Sequence, residues 1–132
     1  MTSILLVEDH PIFAQVLLRF LQERGHLDVV SVANSAEEAL DQIPNLELDL
    51  VLVDVSLPTR SGISLVIILH EKYPDLPCVM LSGHLSSQYA RRSLDAGARG
   101  YLLKDHVDGI LKGIERVLAG EIYVSEELGN FR

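Results

Sequence analysis

The stretch Val51-Leu52-Val53-Asp54-Val55-Ser56-Leu57-Pro58 decides how this chain is read. Val51, Leu52 and Val53 are apolar and partly β-branched, the composition of a buried strand. Asp54 follows at once, and Pro58 and Gly62 mark the turn beyond it. A carboxylate is thus delivered to the end of a core strand, where hiding it is costly unless cations, donors or water attend it. Its partners have to come from elsewhere in the chain.

The pattern of strand, polar end and helix repeats outward from Asp54. Upstream, residues 3–7 form an apolar run closed by Glu8 and Asp9. Pro11 suits a first helical turn, and Ile12, Phe13, Val16, Leu17, Phe20 and Leu21 recur at helical spacing until Gly25. A second strand spans 27–33. Ser35 and Glu38 stand at capping-box spacing for a second helix, which Pro44 ends. Strand 48–53 then delivers Asp54. Downstream, helix 63–73 is apolar nearly all round, which predicts deep packing. Strand 78–81 runs into Ser82, a more polar helix spans 86–96, and strand 100–103 ends in Lys104. Helix 107–119 turns Ile110, Leu111, Ile114, Val117 and Leu118 inward. Residues 121–132 carry only the short run Ile122-Tyr123-Val124.

Five such units predict an α/β domain, a doubly wound parallel sheet with helices on both faces. Function in these sheets lies beyond the carboxyl ends of the strands, where the strand order reverses. Glu8, Asp9, Asp54, Ser82 and Lys104 all close strands at that rim. In the order 2-1-3-4-5 the first and third strands are neighbours, so Glu8, Asp9 and Asp54 cluster despite their separation in sequence.

At 132 residues the chain has room for one domain with a respectable core. Its net charge of −8 disfavours nonspecific attraction to nucleic acid or anionic membrane. The single cysteine, Cys78, cannot form an internal disulfide and reads as a small buried hydrophobe, which fits a reducing compartment. No signal-peptide pattern opens the chain and no apolar run reaches membrane-spanning length. The expectation is a soluble cytoplasmic domain.

Clustered carboxylates repel and titrate together, and a hard divalent cation such as Mg²⁺ relieves them. With the Ser82 hydroxyl and the Lys104 ammonium, the rim offers a carboxylate nucleophile, a metal to clamp phosphoryl oxygens and a fixed cation with donors. That is equipment for receiving a phosphoryl group on Asp54, without an evident base for fast hydrolysis.

At these residues the chain resembles the receiver domains of two-component response regulators. The acidic pair Glu8-Asp9, the segment VLVDVSLPTRSG around Asp54, Ser82 in VMLSGH and Lys104 in GARGYLLKD carry the likeness across residues 3–119. The HP after the acidic pair, GARGYLLKD and GEIYVS resemble the NarL/FixJ (LuxR-type) transcriptional regulators. The resemblance implies a flavodoxin-like fold with five strands in order 2-1-3-4-5 and five helices. It also implies a receiver over 3–120, with 121–132 as a tail or the start of a linker to an output domain not in this chain. Phosphorylation of Asp54 by a sensor histidine kinase follows, with Mg²⁺ held by Asp9, Asp54, Glu8 and the Ser56 backbone carbonyl. Ser82 and Tyr101 would be the switch pair. The resemblance further implies a phosphorylation-dependent homodimer, DNA contact only through the output domain, and no membrane partner. Many receivers have proline after the lysine; here it is Asp105, so a cis bond there is not assumed.

Other readings stand beside this one. An aspartate-nucleophile phosphohydrolase usually wants a second acid close after the nucleophile, where this chain has Val55 and Ser56. A receiver-like interaction module would work unphosphorylated. Tyr101 reads equally as a core aromatic. His10, His84 and His106 lack a metal-ligand spacing, and His10 reads as a helix-start residue. His84 and Ser56 lie where family members tune phosphoryl lifetime.

Overall fold

The computed structural model describes residues 1–129. Six parallel strands form one sheet in the order β2-β1-β3-β4-β5-β6. They are β1 (Ser3–Val7), β2 (Asp28–Ala33), β3 (Leu50–Asp54), β4 (Cys78–Ser82), β5 (Gly100–Leu103) and β6 (Tyr123–Val124). Between them run α1 (Pro11–Gly25), α2 (Ala36–Gln42), α3 (Gly62–Lys72), α4 (Ser87–Asp95) and α5 (Val107–Leu118). This is the flavodoxin-like receiver architecture expected, with one strand more. β6 is short and falls within residues 121–132, expected as a tail or the start of a linker. Tyr123 N–H donates to Arg99 O at 3.0 Å and Ser125 N–H to Tyr101 O at 2.9 Å. Residues 130–132 of that tail lie outside the described residues.

Strand alternation divides the core in two. Leu5, Val7, Val51, Val53, Met80 and Tyr101 face α2, α3 and α4. Ile4, Leu6, Leu50, Leu52, Leu81 and Leu102 face α1 and α5. Both faces of the sheet are covered, which is why β1, β3 and β4 read as continuous apolar runs.

The start of α2 is built as the capping-box spacing predicts, and α4 starts in the same way. Ser35 accepts from Glu38 N–H and Ser86 from Tyr89 N–H, each satisfying an orphan donor. The helices differ from expectation in what they expose. α3 buries Leu65, Val66 and Leu69 but leaves Ile67 in solvent. In α1, Ile12 and Val16 are exposed while Ala14, Leu17 and Leu21 pack on the sheet, and Leu118 of α5 is partly exposed. Each of these helices carries apolar residues beyond one stripe, and a flat sheet covers only one.

Gly62 has a strict packing reason. A Cβ there would lie 2.0 Å from the backbone oxygen of Asp54, and Gly62 N–H donates to Val55 O at 2.9 Å. The start of α3 is thereby pressed against the end of β3. Among the described residues every peptide bond is trans, including Lys104–Asp105. No helix among them is long and apolar enough to cross a membrane.

Candidate functional site

The sheet register brings the rim residues together. Val7 of β1 pairs with Val53 of β3, so Glu8 emerges beside Asp54. Asp54 pairs with Leu81, Leu81 with Leu102, and Lys104 N–H donates to Ser82 O at 2.9 Å. Glu8, Asp54 and Lys104 share the parity of the α1/α5 face. Ser82 and Tyr101 share that of the opposite face, with Met80.

On the first face the Lys104 ammonium bridges two carboxylates. Its Nζ is 2.9 Å from Asp54 Oδ2 and 2.8 Å from Glu8 Oε1. Both carboxylates are buried, at 1% exposure for Glu8 and 2% for Asp54. The other Asp54 oxygen, Oδ1, accepts Ser56 N–H at 3.0 Å. Asp9 stands at the exposed mouth, with Oδ1 3.3 Å from His10 Nδ1.

Burial pushes the Asp54 carboxyl up, Lys104 pulls it down, and with Glu8 nearby it settles at about 6. Burial also pushes Glu8 up, but hydrogen bonds from Lys104 and His10 outweigh it and hold Glu8 below its ordinary value. Burial depresses the Lys104 ammonium, yet Glu8 and Asp54 more than restore it, leaving it above an ordinary lysine. One cation thus serves two buried anions, and Asp54 is left under-compensated.

This deficit is what a divalent ion would relieve. Glu8, Asp9, His10 and Asp54 each offer one ligand atom, all within 4.8 Å of one another. The fully buried Glu8 Oε1 has the Lys104 ammonium at 2.8 Å, and it shares that cation with Asp54. Three carboxylates, two of them buried and sharing one ammonium, fit a hard cation.

Two residues at this site were not read from the sequence. His10 does open α1, but its side chain makes no cap hydrogen bond. Its ring turns back over the acidic pocket, with Nδ1 2.6 Å from Glu8 Oε2 and 3.6 Å from Asp54 Oδ2. Contact with Glu8 raises the imidazole above its ordinary value. Phe13, one position short of a helical turn further on, holds its ring under Lys104, with Nζ 5.0 Å from the centroid. Pro11 was the available signal for His10, since the residue before a proline is driven into extended conformation, and His10 has φ −96° and ψ 103°. No sequence signal marked Phe13.

On the opposite face, the Ser82 hydroxyl accepts His84 N–H at 2.9 Å. Tyr101 is fully buried, and its hydroxyl donates to His84 O at 2.9 Å. Burial raises the phenol above its ordinary value, with Ser82 pulling the other way. Ser82 and Tyr101 therefore meet through one peptide segment, and Tyr101 is a core aromatic with a polar tether.

A family model for the response regulator receiver domain matches residues 4–115. Among curated proteins, the transcriptional activator protein ExaE of Pseudomonas putida is 38% identical over 127 residues, 96% of this chain and 59% of that protein. The nitrate/nitrite response regulator protein NarL of Escherichia coli (strain K12) is 31% identical over 127 residues, again 96% and 59%. The chain thus spans about three-fifths of the length of these relatives. A solved two-component response regulator of the LuxR family from Aurantimonas sp. SI85-9A1 matches with a TM-score of 0.93 and 28% identity, over 99% of this chain and 95% of that one. The chain belongs to the response regulator receiver domain family, and its close relatives are transcriptional regulators of the NarL and LuxR type.

Proposed function

We propose that this domain is a phosphorylation-dependent receiver that takes a phosphoryl group from a sensor histidine kinase onto Asp54. The observation that carries this reading is the buried Asp54 carboxylate, held 2.9 Å from Lys104 and flanked by Glu8 and Asp9. A carboxylate oxygen of Asp54 attacks phosphorus, the bond to the donor imidazole nitrogen breaks, and the electron pair leaves with that nitrogen.

Glu8, Asp9, Asp54 and the Ser56 backbone carbonyl would hold Mg²⁺, which supplies charge to the phosphoryl oxygens as they approach the acidic pocket. Lys104 is already in place to pair with a phosphoryl oxygen, and the Ser82 hydroxyl would release His84 N–H to do the same. Withdrawal of that hydroxyl disturbs the segment that also anchors Tyr101, so Ser82 and Tyr101 form the switch pair. The added 1.5 to 2 negative charges, roughly, are the signal these two register.

The output is transcription control through a DNA-binding domain outside this sequence, with phosphorylation-dependent pairing of two copies. The named relatives are transcriptional regulators, which supports this. A cytoplasmic setting follows from the kinase partner. Phosphatase turnover is not favoured: Val55 and Ser56 offer no second acid after Asp54, so only slow self-dephosphorylation is expected, with Ser56 and His84 governing water access. Incubation with acetyl phosphate and Mg²⁺, followed by intact mass, tests the reading. One phosphoryl adduct is expected, abolished by chelation of the metal; no adduct in the presence of Mg²⁺ contradicts it.

A further inference from the structure

The phosphoacceptor reading gives His10 no task, yet its exposed ring lies against the groups that matter. Nδ1 is 2.6 Å from Glu8 Oε2, 3.3 Å from Asp9 Oδ1 and 3.6 Å from Asp54 Oδ2. Oxygen and nitrogen ligands about 2.1 Å from one octahedral ion lie roughly 3 Å from their neighbours on the polyhedron. The observed separations bracket that edge length.

This placement is imposed locally. Pro11 forces His10 into extended backbone, which directs the side chain back over the end of β1 instead of along α1. His10 N–H also donates to Glu8 Oε2 at 3.1 Å, so ring and backbone grip the same carboxylate. Independently of His10, the fully buried Glu8 Oε1 draws on the Lys104 ammonium at 2.8 Å, a cation that also serves Asp54 at 2.9 Å. The pocket therefore holds more carboxylate charge than its one ammonium balances, and a ring nitrogen lies beside it.

We propose that His10 Nδ1 is a fourth side-chain ligand in this pocket, tilting its selectivity from Mg²⁺ toward first-row transition ions such as Mn²⁺, Co²⁺ and Ni²⁺. The inference rests on the reading of Glu8, Asp9 and Asp54 as a cation site. Mg²⁺ prefers oxygen donors and gives up water reluctantly, so a nearby imidazole adds little for it. Imidazole nitrogen adds much more for the transition ions, most of all Ni²⁺ in this series. The ring is 60% exposed at its side chain and can leave or join the coordination set without unpacking the core.

The test compares the whole chain with His10→Ala at alkaline pH, where the imidazole is neutral. Calorimetric titration with Mg²⁺ and with Ni²⁺ gives the selectivity ratio, and pulsed electron paramagnetic resonance on bound Mn²⁺ reports any nitrogen ligand. The wild-type ratio of Ni²⁺ to Mg²⁺ affinity should fall about tenfold or more in His10→Ala. Nitrogen coupling to Mn²⁺ should be present in the wild type and absent in the variant. An unchanged ratio, or no nitrogen coupling in the wild type, overturns the role of His10 while Mg²⁺ binding stands. If the wild type binds neither ion, the cation-site reading fails and takes this inference with it.

Discussion

Lys104 and Asp54, 50 residues apart in sequence, meet at 2.9 Å where β5 and β3 end. The same ammonium is 2.8 Å from Glu8, so one cation neutralises part of two buried anions. Lys104→Met removes it, taking the ammonium from Asp54 and leaving Glu8 only His10 as a partner. Breaking a buried pair in this way costs about 3 kcal/mol or more near neutral pH. The loss should shrink on acidification, as Asp54 takes up a proton. Urea denaturation at several pH values measures it; equal losses at acidic and neutral pH would contradict the bridging role.

Asp54 itself makes stability depend on pH. Its folded value of about 6 exceeds the ordinary 3.8, so the folded chain retains a proton that the unfolded chain has lost between these values. Stability should therefore fall as pH rises through that window, by roughly 3 kcal/mol from this group. Glu8, shifted downward, acts in the opposite sense: its contribution is lost as pH falls through its own folded value. Asp54→Asn should flatten the decline between about pH 4 and 6 and be more stable than wild type above it. Denaturation curves for the two proteins that stay parallel across the window would contradict this.

Tyr101→Phe deletes the hydroxyl that donates to His84 O at 2.9 Å. The ring still fills its buried site, so the fold should survive with a loss of about 1 kcal/mol. Faster hydrogen exchange at the His84 amide, which is held by Ser82, is the expected local signature. Exchange unchanged at that amide would mean that Tyr101 and Ser82 are not coupled through this segment.

Gly62→Ala places a methyl 2.0 Å from Asp54 O and 2.8 Å from Asp54 C, against backbone that has no flexible end to yield. A destabilisation of about 1–3 kcal/mol is expected. Because the displaced strand end carries Asp54, phosphoryl transfer from acetyl phosphate should also slow. A variant of wild-type stability and rate would show that the strand end tolerates the shift.

Much of this arrangement was legible because strands buried on both faces leave nowhere for a charge except their ends. The polar residues closing the apolar runs, Glu8, Asp54, Ser82 and Lys104, therefore mark one rim in the sequence itself. The capping-box spacing of Ser35 and Glu38 does the same for the start of α2. β6 was not legible, because two residues carry no periodicity. It exists through tertiary fit: a Cβ on Gly100 would lie 3.2 Å from Tyr123 O, and one on Gly113 would strike Leu102 and Tyr123. The turn of His10 over the pocket and the stacking of Phe13 under Lys104 depend on where side chains meet across a gap between elements. The exposure of Ile12 and Ile67 was hidden for a related reason, since periodicity identifies apolar faces but not which of two the sheet will cover.

The central claim is that Asp54 is the atom-bearing acceptor, and site mapping tests it most directly. The chain is phosphorylated with acetyl phosphate and Mg²⁺, trapped with borohydride, digested and sequenced by mass spectrometry. The account predicts the reduced residue at position 54 alone. Modification at Asp9 or Glu8 with Asp54 intact, or a trapped label that persists in Asp54→Asn, would contradict it.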